Sequence, residues 1–451
     1  MLQYTRYSKK YISEGIIFML NSLLIILAII LSIYLGEKFD INTGLIALAF
    51  AYLIGCFVLG MSVNDLLGTW PTKLFLVIFA ISLFFNFAVV NGTLNKLANL
   101  LLYKARKFSF FLPMILYFIT ALVSGLGAAF FTSVAIMGAI AMALCKTSGM
   151  NRLHASIAVS LGALSGANFM ASAHGVLFQS ILSKTSLVDQ AAVMTKDIFV
   201  VSFVYPIIVM AMLLFFSRKK GNAQELKIEK PEPFTPKQKT NLVLILLLMI
   251  MVLFIPALAN LFKDVEWLVY VSKRIDISFL SVVFAIVAYF LHLADKPKEV
   301  LEKVPWNTIW LVCGVGMLID VAVEAGTIDL LASLINKIPA PLVPVSVCVV
   351  AGIMSIFSST LGVVAPLMFP MIPGIVAATG LNPSLIVVAI IIGAQSTALA
   401  PFSTGGSLIL GSSGLEEKEQ QRFYNDLLYK ATPLCLLFAM VATAVLMLIY
   451  R

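Results

Sequence analysis

Charge is scarce in this chain of 451 residues: Asp, Glu, Lys and Arg together make up 12% of it, about half the share found in soluble domains. Histidine occurs three times and cysteine five times. The cysteines (Cys56, Cys145, Cys313, Cys348, Cys435) all lie in apolar segments with no CxxC spacing, which excludes a thiol zinc site or redox pair and marks them as small buried hydrophobes. Walker A, HExxH and strand-to-helix GxSxG patterns are missing, so neither soluble-enzyme chemistry nor phosphate-driven transport by this chain is indicated. No cofactor is expected. The basic excess of +9 does not point to nucleic acid, because in a chain this apolar it mainly reports which loops face the cytoplasm.

Apolar residues, by contrast, make up 61% of the chain, and mean hydropathy is +1.01. Runs near twenty residues follow one another from about residue 15 to 450, the signature of an all-α polytopic protein whose partner is the lipid bilayer. The first run, about 15–36, is too long for a signal-peptide core and lacks a small-residue cleavage site, so it is a helix. Ten crossings are expected, at about 15–36, 41–62, 72–91, 152–183, 197–217, 241–262, 277–293, 306–326, 384–413 and 430–450. Two longer apolar regions, 109–146 and 340–378, each carry a small polar break halfway, at Ser124-Gly-Leu-Gly-Ala-Ala129 and Ser355-Ile-Phe-Ser-Ser-Thr360. Both read as re-entrant hairpins.

The spans 152–183 and 384–413 are interrupted by Ser, Thr, Gly and Pro, and they resemble each other. At a spacing of 231, Gly162, Ala163, Ser165, Ala167, Ser172, Gly175 and Leu177 coincide with Gly393, Ala394, Ser396, Ala398, Ser403, Gly406 and Leu408. The same offset brings the hydrophobic segments of the two halves together. Residues 1–217 and 241–451 thus form two repeats, each of five crossings and one hairpin, and an odd number of crossings makes the second copy inverted. The Pro- and Lys-rich stretch 218–240 is a solvated linker. Amphipathic stretches before the hairpins, 91–104 and 327–337, suit interfacial arms between a scaffold and a moving transport domain. The two faces carry 11 and 20 Lys and Arg residues. The richer face, which includes the linker, is therefore cytoplasmic, with both termini outside.

Unwound peptide at membrane depth persists only where protein or a wet cavity satisfies its N–H and C=O groups. Paired interrupted segments therefore mark a solute site. Ser358, Ser359 and Thr360 at the second hairpin tip would offer hydroxyls and helix N–H groups to an oxyanion, although the same residues also make ordinary turns. Ser403, Thr404, Gly405 and Gly406 follow the helix-breaking Pro401, and Asn168 through Gly175 are their counterparts. At either break, close packing of small residues is the competing reading. Cations would fall to Gly127, Thr132 and Ser133 of the first hairpin and to Ser165, Gly175, Ser396, Thr397 and Gly406. His174, an ionisable group within a span, could carry a proton, touch a carboxylate, or bond to a carbonyl. Asp320 and Glu324, one turn apart, could form a proton or cation relay, Glu324 being closer to the interface.

The segments Phe357-Ser-Ser-Thr-Leu-Gly362 and Ala400-Pro-Phe-Ser-Thr-Gly-Gly406, with the repeat architecture, resemble the ion transporter superfamily. Within it the chain looks closest to the divalent anion:sodium symporter (DASS) and malonate-carrier-like permeases. The symporters carry Ser-Asn-Thr at the second tip, and at the first tip this chain lacks that motif. The resemblance implies a homodimer that moves di- or tricarboxylates by an elevator motion, usually with Na+. It would place Ser358, Ser359 and Thr360 on substrate carboxylate and one cation, with Ser403, Thr404 and Gly405 opposite. His174 keeps H+ coupling or exchange open. An inorganic oxyanion carrier, a cation/proton antiporter, the membrane subunit of a tripartite uptake system and a channel are the competing functions.

Overall fold

The computed structural model describes residues 2–106, 109–216, 230–327, 338–357, 359–411, 413 and 415–450. All regular structure among these residues is helical. Six helices are long and apolar enough to cross a bilayer, or seven if one bent pair is counted, so the chain is a multi-pass membrane protein.

The first half contains α1 (Leu2–Phe39), α2 (Thr43–Phe57), α3 (Val63–Gly68), α4 (Thr72–Val90), α5 (Thr93–Ala105), α6 (Leu112–Val123), α7 (Ala129–Ser148), α8 (Arg152–Ala167), α9 (Ala173–Leu182) and α10 (Ala191–Phe216). In the second half lie α11 (Pro236–Leu261), α12 (Glu266–Ser272), α13 (Ile277–Phe290), α14 (Pro297–Glu302), α15 (Trp306–Glu324) and α16 (Val343–Phe357). They are followed by α17 (Thr360–Thr379), α18 (Pro383–Thr397), α19 (Thr404–Gly411), α20 (Glu417–Asp426) and α21 (Thr432–Ile449).

Not every expected crossing is one full-length helix. The spans at 41–62 and 277–293 are the shorter α2 and α13, of 15 and 14 residues. Those at 152–183 and 384–413 are each two pieces, α8 with α9 and α18 with α19. Conversely α17, expected as one limb of a hairpin, is long enough at 20 residues to cross by itself.

The two halves share fine geometry. Asn151 and Asn382 cap α8 and α18 by accepting from the N–H two residues on, and Gly149 and Gly380 before them both have left-handed φ, +67° and +69°. Both pairs keep the spacing of 231. Earlier in each half the spacing is 234. Pro71 and Pro305 open the 19-residue helices α4 and α15 with the same φ of −76° and ψ of 67°, and Gly92 and Gly326 close them at φ +74° and +70°. A single gapless offset therefore does not hold. The stretch between the left-handed glycines, which contains the hairpin's first limb, is three residues longer in the first half.

Close packing sets the course of each hairpin. A Cβ on Gly162 would lie 2.6 Å from the Tyr117 carbonyl, and one on Gly393 would lie 2.1 Å from that of Cys348. Only glycine lets α8 run parallel against α6, and α18 against α16, at that distance. In the first hairpin α7 then returns along α8 through the short link 149–151. The turn from α6 to α7 is a π-helical segment, Ser124–Ala128, tied down where Ser124 Oγ donates to the Ala163 carbonyl at 2.7 Å.

The arm expected at 91–104 is present as α5, bent 62° from α4. It buries Leu94, Ala98 and Leu102 while exposing Asn95, Asn99 and Lys104. The second arm, at 327–337, lies outside the described residues beyond Thr327. The elbow of α4 and α5 is clipped to the neighbouring elements: Asn91 Nδ2 donates to the Leu293 carbonyl at 3.1 Å, and Gln238 Nε2 to that of Asn91 at 2.9 Å. One large core joins the hairpins, the broken helices, α10 and α21, and a smaller one joins α1, α2 and α15. All five cysteines are free and four of them are buried.

Candidate functional site

At the second break α18 ends on Thr397 and α19 starts at Thr404. The peptide between them turns on Ser403, which is 5% exposed. Its hydroxyl donates to the carbonyls of Ala398 and Ala400 at 2.6 and 2.8 Å and accepts the Gly406 N–H at 3.1 Å. The first break does the same. Ser172 Oγ donates to the Phe169 carbonyl at 2.6 Å and to that of Ala167, and accepts the Gly175 N–H at 3.3 Å. Every atom in this pattern has its partner 231 positions away. Glycine is required beside each serine, since a Cβ on Gly175 or Gly406 would lie 2.2 or 2.0 Å from the Phe169 or Ala400 carbonyl. One serine at each break thus satisfies carbonyls that lipid could not. Its only proton is thereby committed to the chain.

At the second hairpin tip α16 ends on Phe357, and Ser358 lies outside the described residues. Ser359 caps α17 by accepting the Gly362 N–H at 3.2 Å. The Thr360 hydroxyl lies 3.3 Å from that of Ser355. At the first tip Gly127 lies in the π-helical turn, followed by Phe130, Phe131, Thr132 and Ser133 on the first turns of α7. Thr132 is half-buried, and Ser133 is fully buried, its hydroxyl without a hydrogen-bond partner among the described residues.

These four features meet. A small cavity of about 20 Å³ is bounded by Phe130 and Phe131, by Ser359 and Thr360, by His174 from the first break, and by Ser403 and Gly405 from the second. That volume holds about one water molecule. Phe131, Ser359 and Ser403 also line an open cleft of about 830 Å³, whose other wall comes from α1, α2 and the 302–308 segment. The 302–308 wall of this cleft belongs to the same α13–α15 connection as Asp295, which pairs with the linker-proximal Lys237 at 2.6 Å. The Lys237 hydrogen bond and charge lower the Asp295 carboxyl below its ordinary range. Another cavity, about 530 Å³, lies between α9, α15 and α17. There Asp320, placed by sequence in a relay, pairs with Lys184 at 3.3 Å, and Glu324 is exposed.

His174 is 5% exposed, with Nδ1 3.3 Å from Asn168 Oδ1 and its ring edge-on to Phe178. With the Asn168 amide oriented in this way, Oδ1 accepts from Nδ1–H and Nε2 is the acceptor; the reversed amide would give the other tautomer. Thr404 is the first residue of α19, and its hydroxyl is not among the described side chains. Other residues singled out by sequence lie deeper in the helices before the breaks. Ser165 donates to the Ser202 carbonyl at 2.6 Å and receives the Tyr117 hydroxyl at 3.1 Å. Ser396 donates to the Gly393 carbonyl and Thr397 to that of Gly352, at 2.6 and 2.7 Å.

Sequence reasoning passed over Phe130 and Phe131, which look like generic core residues, and the buried Gln395, whose amide lies 3.3 Å from the Ser202 carbonyl. A lone amide within the apolar run 384–400 was the available signal for Gln395. The two rings carried none.

Comparison with known proteins agrees with this architecture. Residues 19–167, which end with α8, match the family described as dicarboxylate carrier protein MatC N-terminus. The fold is similar to the crystal structure of the YdaH transporter of Alcanivorax borkumensis, with a TM-score of 0.53 and 15% identity over 95% of this chain and 97% of that one. At that identity the likeness is one of fold. No curated protein sequence matches significantly.

Proposed function

We propose that this protein is a secondary carrier, not an enzyme, that moves a small organic anion of the di- or tricarboxylate kind around a midplane site. One observation carries the reading: both hairpin tips and both helix breaks border one small cavity, which adjoins a wide cleft. Paired helix breaks and hairpin tips converging on one site beside a cleft are the arrangement of secondary carriers built from inverted repeats. The match of the first repeat to a dicarboxylate carrier family supports the passenger class. The divalent anion:sodium symporters remain the resemblance of choice for the whole chain.

In this reading residues 1–217 and 241–451 are inverted repeats, and the protein works as a homodimer held by its scaffold. The hairpins and broken helices move as an elevator. The linker face, richer in Lys and Arg, is cytoplasmic, so the cleft is the inward-facing vestibule. Anion binding falls to Ser359 and to the first N–H groups of α17 and α19, which have no intrahelical partner. The Ala398 and Ala400 carbonyls each keep a second lone pair, an oxygen-only set that suits Na+. His174 is the group that would serve H+ coupling.

The test is counterflow of a labelled dicarboxylate into proteoliposomes containing only this chain, with Na+ and H+ gradients imposed separately. Ser359→Gly keeps the entry into α17 and removes the hydroxyl. It should raise the half-saturating anion concentration about tenfold or more, the worth of a hydrogen bond to a charged group. Uptake that demanded an added binding protein would favour the tripartite system, and conductance beyond carrier turnover would favour a channel.

A further inference from the structure

The cavity of about 530 Å³ lies between α9 and α17 on one side and α15 on the other. Its α17 wall is made by Pro366, Pro370 and Pro373, which present rings and no N–H to the opposite wall. Across this open seam Lys184, just past α9, reaches Asp320 of α15, with Nζ and Oδ2 3.3 Å apart and side chains 57% and 32% exposed. Neither residue lines the cavity where the tips meet or the wide cleft. Asp320 lies about 13 Å further along α15 than Leu311, the last residue of that helix to line the cleft. The two cores divide along the same seam: α9 gives Phe178 and Leu182 to the larger one, whereas α15 beside Asp320 gives Ile319 and Val321 to the smaller.

We infer that Lys184 and Asp320 are positioning residues for transport: their ion pair holds the moving part where the wide cleft is open, and it parts when that cleft closes. The pair acts in this way only within the carrier reading above, in which α9 and α17 move against α15. A shift of one helix turn, about 5.4 Å, would break a 3.3 Å contact. The modest strength of the pair suits the task. A half-exposed ion pair adds little to overall stability, yet a carrier visits both positions in every cycle, so a small bias between them resets their ratio. A dry, fully buried pair would instead trap one position, because parting it strands a charge within the membrane.

Spin labels on Glu302→Cys, at the cleft wall, and on Gln420→Cys, in α20 beyond the second break, report the two positions as two distances in nanodiscs. Cys56→Ser removes the one native cysteine that is not buried. Lys184→Met and Asp320→Asn should each lower the ratio of cleft-open to cleft-closed protein about two- to fivefold. Lys184→Arg, which keeps the charge, should retain the parent ratio. So should Lys237→Met, which breaks the 2.6 Å pair with Asp295 outside the moving part. If the ratio holds at the parent value in both Lys184→Met and Asp320→Asn, or falls as far in Lys184→Arg or Lys237→Met, the inference is wrong while the carrier stands. If the parent and every variant give a single distance, the moving-part reading fails and this inference with it.

Discussion

Replacing Ser403 with Ala separates a residue that holds the chain from one that holds the passenger. The hydroxyl donates to two carbonyls, at 2.6 and 2.8 Å, and accepts one N–H at 3.1 Å, in a site 5% exposed. Loss of a Ser cap costs about 1 kcal/mol, and leaving a buried N–H or carbonyl unpaired adds about 1–2 kcal/mol. The sum, about 2–3 kcal/mol, raises the local opening equilibrium about 30- to 150-fold. Hydrogen exchange of the peptide covering 404–411, measured in nanodiscs, should quicken by that factor. Ser403→Thr, which keeps the hydroxyl, should stay within about threefold of the parent. Ser172→Ala should do the same to 173–182, because its bonds are the same set 231 positions earlier. Unchanged exchange at 404–411 together with lost transport would refute the reasoning, since the hydroxyl would then serve the anion and not the backbone.

Gly393→Ala places a Cβ 2.1 Å from the Cys348 carbonyl. Backbone on both sides cannot yield cheaply, so a loss of about 3 kcal/mol or more is expected, seen as a lowered unfolding temperature or loss of the monodisperse species on size exclusion. Lys184 follows α9 and pairs with Asp320 of α15 at 3.3 Å with both side chains partly exposed, so removing the charge should cost no more than about 1 kcal/mol of stability. If α9 slides against α15 during transport, the pair must part in every cycle. Lys184→Cys with Asp320→Cys, joined by a cleavable bifunctional thiol reagent, should stop uptake, and reduction should restore it. Full uptake in completely cross-linked protein would show that α9 and α15 do not slide past each other there.

Much of this arrangement is legible in the sequence alone. The interrupted spans were visible because Pro401 and the Ser, Thr and Gly around it are costly in a bilayer, and the hairpin breaks because Ser124 and Ser355 interrupt otherwise apolar runs. The likeness of the two halves shows in the sequence through Gly162, Ser165, Ser172 and Gly175 and their counterparts 231 positions on, whereas the left-handed glycines and asparagine caps are features of the structure. What stayed hidden depends on packing between distant segments. Nothing local distinguishes Phe131, which faces the cavity, from the core residue Phe84, which is 1% exposed. The three-residue difference between the two halves is hidden for a similar reason: small apolar residues align nearly as well when shifted. Ser165, Ser396 and Thr397 resembled site residues because hydroxyls in a span must bond to something, and here they bond to helix backbone.

The serine-capped breaks also change what an unwound segment implies. Sequence reasoning treats freed carbonyls and N–H groups as a vacancy that a solute fills, yet here Ser172 and Ser403 fill much of it from within the chain. What they leave is directional: beyond the Gly406 and Gly362 N–H groups, which Ser403 and Ser359 accept, the first turns of α19 and α17 keep the partial positive charge of helix N-termini. An anion is therefore favoured over a cation at that end without any basic side chain. The price is weak binding: two helix termini and one serine hydroxyl supply less than a bidentate arginine would. That suits a carrier, because a passenger held too tightly at the midplane would slow its own release.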